Sequence, residues 1–250
     1  MRNRPLRKSS DNSRPPGRRR AHFPRGVQIL YRDAAVIVID KPPGLASVPV
    51  KGLSTPSALE VLRTELPPPG RVFVVHRIDR FTSGAVLFAA TAQDRELLIK
   101  QFLGHVPDRH YLAVVRGHLS VPEGALAHYL RRDGMFQQVS AESDPRATRA
   151  ELRYRVERVL NGASLIRVEL VTGLQNQIRV QFAAAGHAVI GDRKYAPKEA
   201  AEKLIDRVAL HAAHLAFIHP RTGKTMSIDC EPPADFKRLV EALRVTSGRR

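Results

Sequence analysis

The chain lacks most features that mark secreted or membrane proteins. Its single cysteine, Cys230, excludes an intramolecular disulfide and favours a reducing compartment, which we take to be the cytoplasm. No apolar run approaches the roughly 20 residues that span a bilayer, so no membrane association is expected. An apolar h-region is also missing near the start of the chain, which excludes a secretory signal.

Acidic residues are scarce relative to basic ones. The 250 residues include 41 Lys or Arg against 24 Asp or Glu, a formal net charge of +17. This balance favours a nucleic-acid partner, although charge can also serve solubility alone. Residues 1–25 hold nine Lys or Arg, one acid and four prolines without apolar periodicity, which predicts a disordered basic arm. Residues 246–250 are expected to form a flexible tail.

Several motifs for phosphate, dinucleotide and metal sites are absent. The sequence has no Gly-x-x-x-x-Gly-Lys loop, no Gly-x-Gly-x-x-Gly after a strand and no cysteine pair. His211 and His214 are three residues apart, but a metal site needs three or four converging ligands. We therefore expect these histidines to be structural, Cys230 to be a small core residue, and no metal to be bound.

The apolar pattern predicts one folded domain over residues 26–245. Short β-branched runs predict strands at 27–31, 35–39, 71–78, 85–90, 111–116, 148–159, 165–171, 210–218 and 226–230. Helices are expected from Ser54 or Thr55 to about Leu66, and at 91–104, 176–185 and 234–245. Because helices and strands do not alternate regularly, the pattern predicts an α+β fold with a mixed, mainly antiparallel sheet.

The most informative segment is residues 76–84, which read HRIDRFTSG. An apolar strand delivers a carboxylate, Asp79, into a polar turn, and Gly84 leads into another apolar strand. Taken alone, Asp79 could simply cap its own turn. The whole string, however, resembles the His-Arg-Leu-Asp-x-x-Thr-Ser-Gly motif of the RluA-type pseudouridine synthases, with Ile78 in place of Leu.

Further blocks resemble the same family and occur in its order. They are DKPPG at 40–44, RHYLAVVRG at 109–117, QIRV at 177–180, GDRKY at 191–195, and LHA at 210–212 with FIHP at 217–220. Each block alone is weak evidence, but together they are hard to explain by chance. The resemblance implies the pseudouridine synthase fold, with two lobes around a central RNA-binding cleft.

The resemblance also implies roles for individual residues. Asp79 matches the family's catalytic carboxylate, and Arg179 matches its ion-pair partner. Tyr111 is expected to stack on the uracil and to serve as a late general base. Arg77 is expected to enter the RNA where the flipped base left the stack. Three further residues are expected to bind the substrate: His76, Thr82 and Asn176.

The implied reaction converts uridine to pseudouridine in tRNA or rRNA. It breaks N1–C1′, rotates the uracil and forms C5–C1′ without a redox step, so no cofactor is expected. The carboxylate could be a base at C2′ or a nucleophile at C1′ or C6, and the sequence does not choose among these. The uridine must lie outside its helix to react. We expect the enzyme to be a monomer.

One block departs from the family pattern. Residues 173–181 read GLQNQIRVQ, so Leu174, Asn176 and Gln181 stand where the family has Arg, His and His. Arg179 is retained, and Asn176 is expected to cap the helix that follows. These changes and the basic arm leave a second interpretation open, an inactive RNA-binding or ribosome-assembly protein. Because the carboxylate and its two implied partners are present, an active enzyme is favoured.

Overall fold

The computed structural model describes residues 26–67, 71–134, 136–196 and 204–245. The arm expected at 1–25 and the tail expected at 246–250 lie outside the described residues. Within the described ranges, eleven strands form one sheet that is accompanied by four helices. None of these helices has the length and apolar character needed to cross a membrane.

The elements follow one another without a regular strand–helix alternation. The strands are β1 (Gln28–Arg32), β2 (Val36–Lys41), β3 (Phe73–Val74), β4 (Ser83–Ala89), β5 (Asp108–Arg116), β6 (Glu123–Asp133), β7 (Phe136–Ser140), β8 (Ala147–Leu160), β9 (Ala163–Leu170), β10 (Leu210–Ile218) and β11 (Thr225–Asp229). The helices are α1 (Ala58–Glu65), α2 (Ala92–Leu103), α3 (Gln177–Ala184) and α4 (Ala234–Ala242).

The order across the sheet is β1-β2-β4-β10-β5-β9-β8-β6-β7, with β3 beside β4 and β11 beside β10. Among the described strands, only β4 and β10 pair in parallel, with His211 opposite Ser83 and Ala212 opposite Gly84. The other pairs are antiparallel. The predicted α+β fold with a mixed, mainly antiparallel sheet is therefore confirmed.

Both faces of the sheet carry a hydrophobic core. In β2, Ile37 and Ile39 pack into the core shared with α1, α3 and α4, whereas Val36 and Val38 pack into the core that includes Leu98 of α2. Burying one such aliphatic side chain contributes roughly 1.5–3 kcal/mol. The larger core fixes α3 against the sheet, which positions the site described below.

Two predicted elements have different bounds in the structure. Helix α1 begins at Ala58, three residues after Thr55, because Ser57 and Glu60 form a capping box through their side chains and backbone N–H groups. The strand predicted at 71–78 is reduced to the two residues of β3. Beyond β3 the chain leaves the sheet, and Ile78 bonds to the side chain of Ser47 instead.

The hairpin of β6 and β7 is missing from the sequence prediction. β6 contains no Val, Ile or Thr, and apart from the buried Leu130 its residues are exposed or half-buried. Its strand conformation comes from pairing with β8, from Glu123 opposite Arg155 to Arg131 opposite Ala147. Long-range pairing therefore overrides a weak local preference.

His211 has the structural role expected from the sequence. Its ring is buried, and its nitrogens lie 2.9 Å from the Ser83 hydroxyl and 2.9 Å from the Cys230 carbonyl. Cys230 is itself buried in the second core. The two hydrogen bonds tie the start of β4 to the end of β11, beside the loop that carries Asp79.

Candidate active site

A loop between β3 and β4 carries Asp79. Its backbone is held by Ser47, whose hydroxyl donates to the Ile78 carbonyl at 2.9 Å and accepts from the Ile78 N–H at 3.2 Å. The Thr82 N–H donates to the Asp79 carbonyl at 3.1 Å, which closes the turn. Both backbone groups of Ile78 are thus satisfied although the residue lies outside the sheet.

The buried side chain of Lys41 also holds the loop that carries Asp79. It is fully buried, and Nζ donates to the carbonyl oxygens of Leu45 at 2.7 Å, Pro42 at 3.0 Å and Arg80 at 3.1 Å. The Gly44 N–H donates to the same Arg80 carbonyl at 2.9 Å. The turn at 42–45 and the Asp79 loop are therefore joined through one ammonium group.

Arg207 adds a second buried cation under the loop. It forms a two-point ion pair with Asp235 at 2.6 and 3.0 Å and reaches the Phe81 carbonyl at 3.4 Å. Burial, reinforced by the charge of Arg207, lowers the pKa of Lys41 to about 7. The loop is thus positioned by two buried basic side chains that donate to its carbonyl oxygens.

Arg179 of α3 joins Asp79 to a second carboxylate. Its Nη1 donates to Asp79 at 3.2 Å, while Nε and Nη2 donate to Asp192 at 2.6 and 2.8 Å. Asp192 is buried and also accepts the N–H groups of Lys194 and Tyr195. Burial alone would raise the pKa of Asp192, but the hydrogen bonds and charge of Arg179 outweigh it and lower the pKa.

A cavity of about 240 Å³ lies between this loop, β5 and the start of α3. Asp79, Thr82, Tyr111, Leu174 and Arg179 all contribute to its wall. The Thr82 hydroxyl is buried and has no hydrogen-bond partner among the described residues. The cavity therefore brings together a carboxylate, a phenol and an unsatisfied hydroxyl.

Tyr111 projects from β5 and is 8% exposed. Burial raises the pKa of its phenol, and the charge of Arg109 only partly opposes this, while that of Asp79 adds to it. The phenol is therefore protonated at neutral pH. Its ring forms part of the wall of the cavity that also contains Asp79.

Asn176 does not cap α3 in the expected way. It occupies the N-cap position with a φ of 54°, and its side chain makes no capping hydrogen bond. Asn tolerates this left-handed conformation better than most residues. Instead, its Oδ1 accepts from Nη1 of Arg179 at 2.9 Å, so Asn176 belongs to the hydrogen-bond network around Asp79.

The other two departures from the family pattern are accommodated inside the fold. Leu174 packs against a small cluster that includes Val180, and it also contributes to the cavity wall. Gln181 is fully buried, and its Nε2 donates to the carbonyls of Leu126 at 3.0 Å and Ala150 at 3.1 Å. Its partners lie in β6 and β8, so this side chain links α3 to these two strands rather than to the cavity, while its Oε1 is buried without a hydrogen-bond partner among the described residues.

A larger groove of about 730 Å³ opens beside the cavity. The two share Arg77, Gln175, Asn176 and Arg179. Arg77 is exposed and faces both. Five cationic side chains without a carboxylate partner nearer than 4 Å among the described residues contribute to the groove: Lys51, Arg77, Arg132, Arg193 and Lys194. This surface suits a polyanionic ligand.

His76 takes a role inside the fold and does not contribute to the wall of the cavity or of the groove. Its Nε2 accepts the Leu87 N–H at 2.9 Å, and its ring stacks on Phe102 at a centroid distance of 4.7 Å. Burial, with a contribution from the charge of Arg109, lowers the pKa of His76 to about 3. The ring is therefore neutral, and it replaces a strand partner that β4 lacks at this point.

Sequence reasoning gave no role to Asp192 or Lys41. Asp192 holds Arg179 in place, and Lys41 holds the Asp79 loop. Both stand in blocks that match the family, GDRKY and DKPPG. Those blocks are the signal that could have singled them out, because an ordinary surface Asp or Lys would not recur at a fixed family position.

Comparisons with known proteins identify a family and relatives of this chain. The chain matches the family model described as RNA pseudouridylate synthase over residues 35–184. It is 33% identical to ribosomal large subunit pseudouridine synthase D of Zymomonas mobilis, over 88% of this chain and 74% of that protein. It is 36% identical to ribosomal large subunit pseudouridine synthase C of Escherichia coli, over 86% of this chain and 70% of that protein.

Solved structures show the same fold at lower identity. Human RNA pseudouridylate synthase domain containing 4 has a TM-score of 0.72 and 20% identity, covering 86% of this chain and 92% of that one. Human RNA pseudouridylate synthase domain containing 1 has a TM-score of 0.68 and 21% identity, covering 90% and 97%. With the sequence matches, these findings place the chain in the RNA pseudouridylate synthase family, whose members are intramolecular isomerases.

Proposed function

We propose that this synthase converts uridine to pseudouridine in large-subunit ribosomal RNA and that Asp79 is its catalytic carboxylate. The observation that carries the assignment of Asp79 is its pairing with Arg179 at 3.2 Å on the wall of a cavity that also holds Tyr111. Ribosomal RNA is favoured over tRNA because both bacterial relatives are named for the ribosomal large subunit. An rRNA substrate and a single cysteine both favour action in the cytoplasm.

Asp79 is suited to act on the sugar or the base. The reaction breaks N1–C1′, turns the uracil and forms C5–C1′, after which the C5 proton is lost. The second carboxylate oxygen of Asp79 has no hydrogen bond among the described residues, since Arg179 reaches only Oδ2. That oxygen is available as a base at C2′ or a nucleophile at C1′ or C6.

Tyr111 and Thr82 are proposed to hold the uracil while it is detached. The raised pKa of Tyr111 keeps its phenol protonated, so stacking is favoured over an early role as a base. The Thr82 hydroxyl gains a partner if it donates to a uracil carbonyl or a ribose oxygen, which removes the cost of burying it unpaired. Asn176 contributes by orienting Arg179.

Arg77 is proposed to contact the RNA at the mouth of the cavity. It is exposed and lies where the cavity meets the basic groove. A uridine can enter the cavity only after it leaves its stack, and a guanidinium at the rim can fill the vacated space. The protein is proposed to do this as a monomer, because one chain supplies Asp79, Tyr111 and Arg179 together.

The test uses the full chain and in vitro transcribed large-subunit rRNA labelled with tritium at C5 of uridine. Wild type should release tritium, and Asp79→Asn should reduce the rate at least ~10²-fold. Asp229→Asn is the matched control, because Asp229 is an exposed carboxylate whose partner, His214, lies outside the cavity. Release from labelled tRNA but not from rRNA would overturn the proposed substrate, and full activity of Asp79→Asn would overturn its role.

A further inference from the structure

Two phenylalanines of the basic groove are exposed although no core requires them there. Phe81 is 48% exposed and lies two residues after Asp79, while Phe136 is 50% exposed and begins β7. Single exposed apolar residues are common on protein surfaces. Two aromatic rings in one cationic groove are a more specific arrangement, because aromatic rings between basic side chains are how proteins bind unpaired nucleotides.

Phe136 is paired with a cation. Nζ of Lys194 lies 3.5 Å from the centroid of the Phe136 ring and 4.4 Å from that of Tyr195. The Lys194 backbone N–H in turn donates to Asp192, the residue that holds Arg179. Asp192 therefore links Lys194 to Arg179, the ion-pair partner of Asp79. Phe136 and Lys194 both line the groove beside the cavity.

We propose that Phe136 and Lys194 form a second nucleotide subsite, where an unpaired base close to the target uridine stacks on Phe136 while Lys194 binds a phosphate. This inference rests on the proposed function, since it concerns the same RNA. A stacking site needs a base with a free face, which a nucleotide in a loop offers and one inside a duplex does not. The target uridine then lies in a single-stranded loop whose neighbouring nucleotide enters the groove.

The charges of the groove fit this occupant. Besides Lys194, the groove wall contains four cations without close carboxylate partners among the described residues, Lys51, Arg77, Arg132 and Arg193, which can neutralise phosphates of a bound RNA backbone. A basic peptide would be repelled by the same side chains. An apolar partner would have to desolvate them.

The first experiment measures binding of the full chain to a fluorescein-labelled RNA decamer of cytidines with one central uridine. Phe136→Ala should weaken binding roughly 5- to 150-fold, the range that one base–aromatic contact accounts for. Phe136→Tyr should stay within about twofold of wild type, because the stacking face is kept. Val139→Ala is the control, since Val139 is 43% exposed on the same strand and is not part of the groove wall.

The second experiment replaces each cytidine in turn by an abasic nucleotide. At one position of the RNA, the abasic substitution should weaken binding to wild type as much as Phe136→Ala weakens binding to the intact RNA. When the abasic RNA and Phe136→Ala are combined, the two losses of affinity should not add. Lys194→Ala should lower the slope of log Kd against log salt by about 0.7, as expected for one lost single-strand phosphate contact, whereas Phe136→Ala should leave the slope unchanged. Equal binding by Phe136→Ala and Val139→Ala, or a flat abasic scan, would overturn the subsite.

Tritium release by wild type separates this inference from the proposed function. If rRNA releases tritium but Phe136→Ala binds like Val139→Ala, the subsite is wrong and the proposed function stands. If no tritium is released, the proposed function fails, while the abasic scan still decides the subsite. An equal loss of affinity of Phe136→Ala for a ten-base-pair RNA duplex would also contradict the inference, because a duplex offers no free base.

Discussion

Nη1 of Arg179 donates to Oδ2 of Asp79 at 3.2 Å, although the two residues are 100 positions apart in the chain. The rest of the guanidinium binds Asp192 through two shorter hydrogen bonds. Arg179 is therefore fixed on its buried side and offers one donor to Asp79 on its open side. The position of Asp79 therefore depends on Asp192, which holds Arg179 but does not itself contribute to the cavity wall.

Asp192→Asn should destabilise the protein by about 3–5 kcal/mol, because it leaves the Arg179 guanidinium without its buried partner. Urea unfolding measures the loss, and Asp229→Asn should change the unfolding free energy by well under half of that. The pKa of Asp192 is lower in the native protein than in the unfolded chain, where it is near 3.8. The stability that the Asp192 carboxylate contributes is therefore fully present above pH 3.8 and is lost as the pH falls from there through the native pKa. The difference between wild type and Asp192→Asn should therefore shrink in acid.

Lys41→Met should be less stable than wild type at every pH, because three carbonyl oxygens lose their donor and each costs about 1–3 kcal/mol when buried unpaired. The native pKa of Lys41 is about 7 and its ordinary value is 10.5. Between these values the unfolded chain binds a proton that the native protein does not, so wild type gains stability as pH rises. The difference in unfolding free energy between wild type and Lys41→Met, measured by chemical unfolding, should therefore grow as the pH rises from 7 to 10.5. A difference that stays constant would show that Lys41 remains charged.

Gly84→Ala should prevent stable folding. Gly84 has a φ of +115°, and an added Cβ would collide with the carbonyl oxygen of Ala212 and lie 2.7 Å from its nitrogen, at the parallel pairing of β4 and β10. Gly44→Ala is the matched control, since Gly44 also has a positive φ of +84° but open space around it. The control should lose about 1–2 kcal/mol. Soluble yield and thermal unfolding distinguish the two, and equal stability would contradict the steric argument.

Deletion of residues 1–25 should weaken RNA binding and flatten its dependence on salt. This segment carries nine Lys or Arg and one acid, and each phosphate contact that is lost removes part of the counterion release. Titration of labelled rRNA fragments at several salt concentrations measures the slope for the full and shortened chains. An unchanged slope would show that these charges do not contact RNA.

Local sequence predicts those parts of the fold whose apolar pattern is strong. β2 begins with four β-branched residues and β4 contains an apolar run from Ala85 to Ala89, and the sequence predicts both strands within a few residues of their bounds. β6 has no such pattern. Its strand conformation depends on pairing with β8 and on a hydrogen bond from the buried amide of Gln181, neither of which is visible in the local sequence. The positions of Asp79 and Arg179 follow from the family motifs, but the bridging role of Asp192 depends on a contact between separate segments.

Asn176 and His76 show where residue type alone misleads. An Asn before a helix usually caps it, but the left-handed backbone at Asn176 directs its side chain to Arg179. His76 is the first residue of the motif, and the family resemblance implies substrate contact for it; in the structure the chain leaves the sheet there, and His76 supplies an acceptor for the Leu87 N–H. Both outcomes depend on the local backbone conformation, which the residue type at a single position does not determine.

The loop that carries Asp79 is held by donors that bind its main-chain carbonyls at Ile78, Arg80 and Phe81. Such bonds do not depend on which side chain stands at positions 80 and 81. The Arg80 side chain is part of this support, since its Nε donates to the Gly44 carbonyl at 2.9 Å, whereas Phe81 is 48% exposed and is held through its carbonyl. Substitution at position 81 should therefore change contacts in the groove while Asp79 keeps its position.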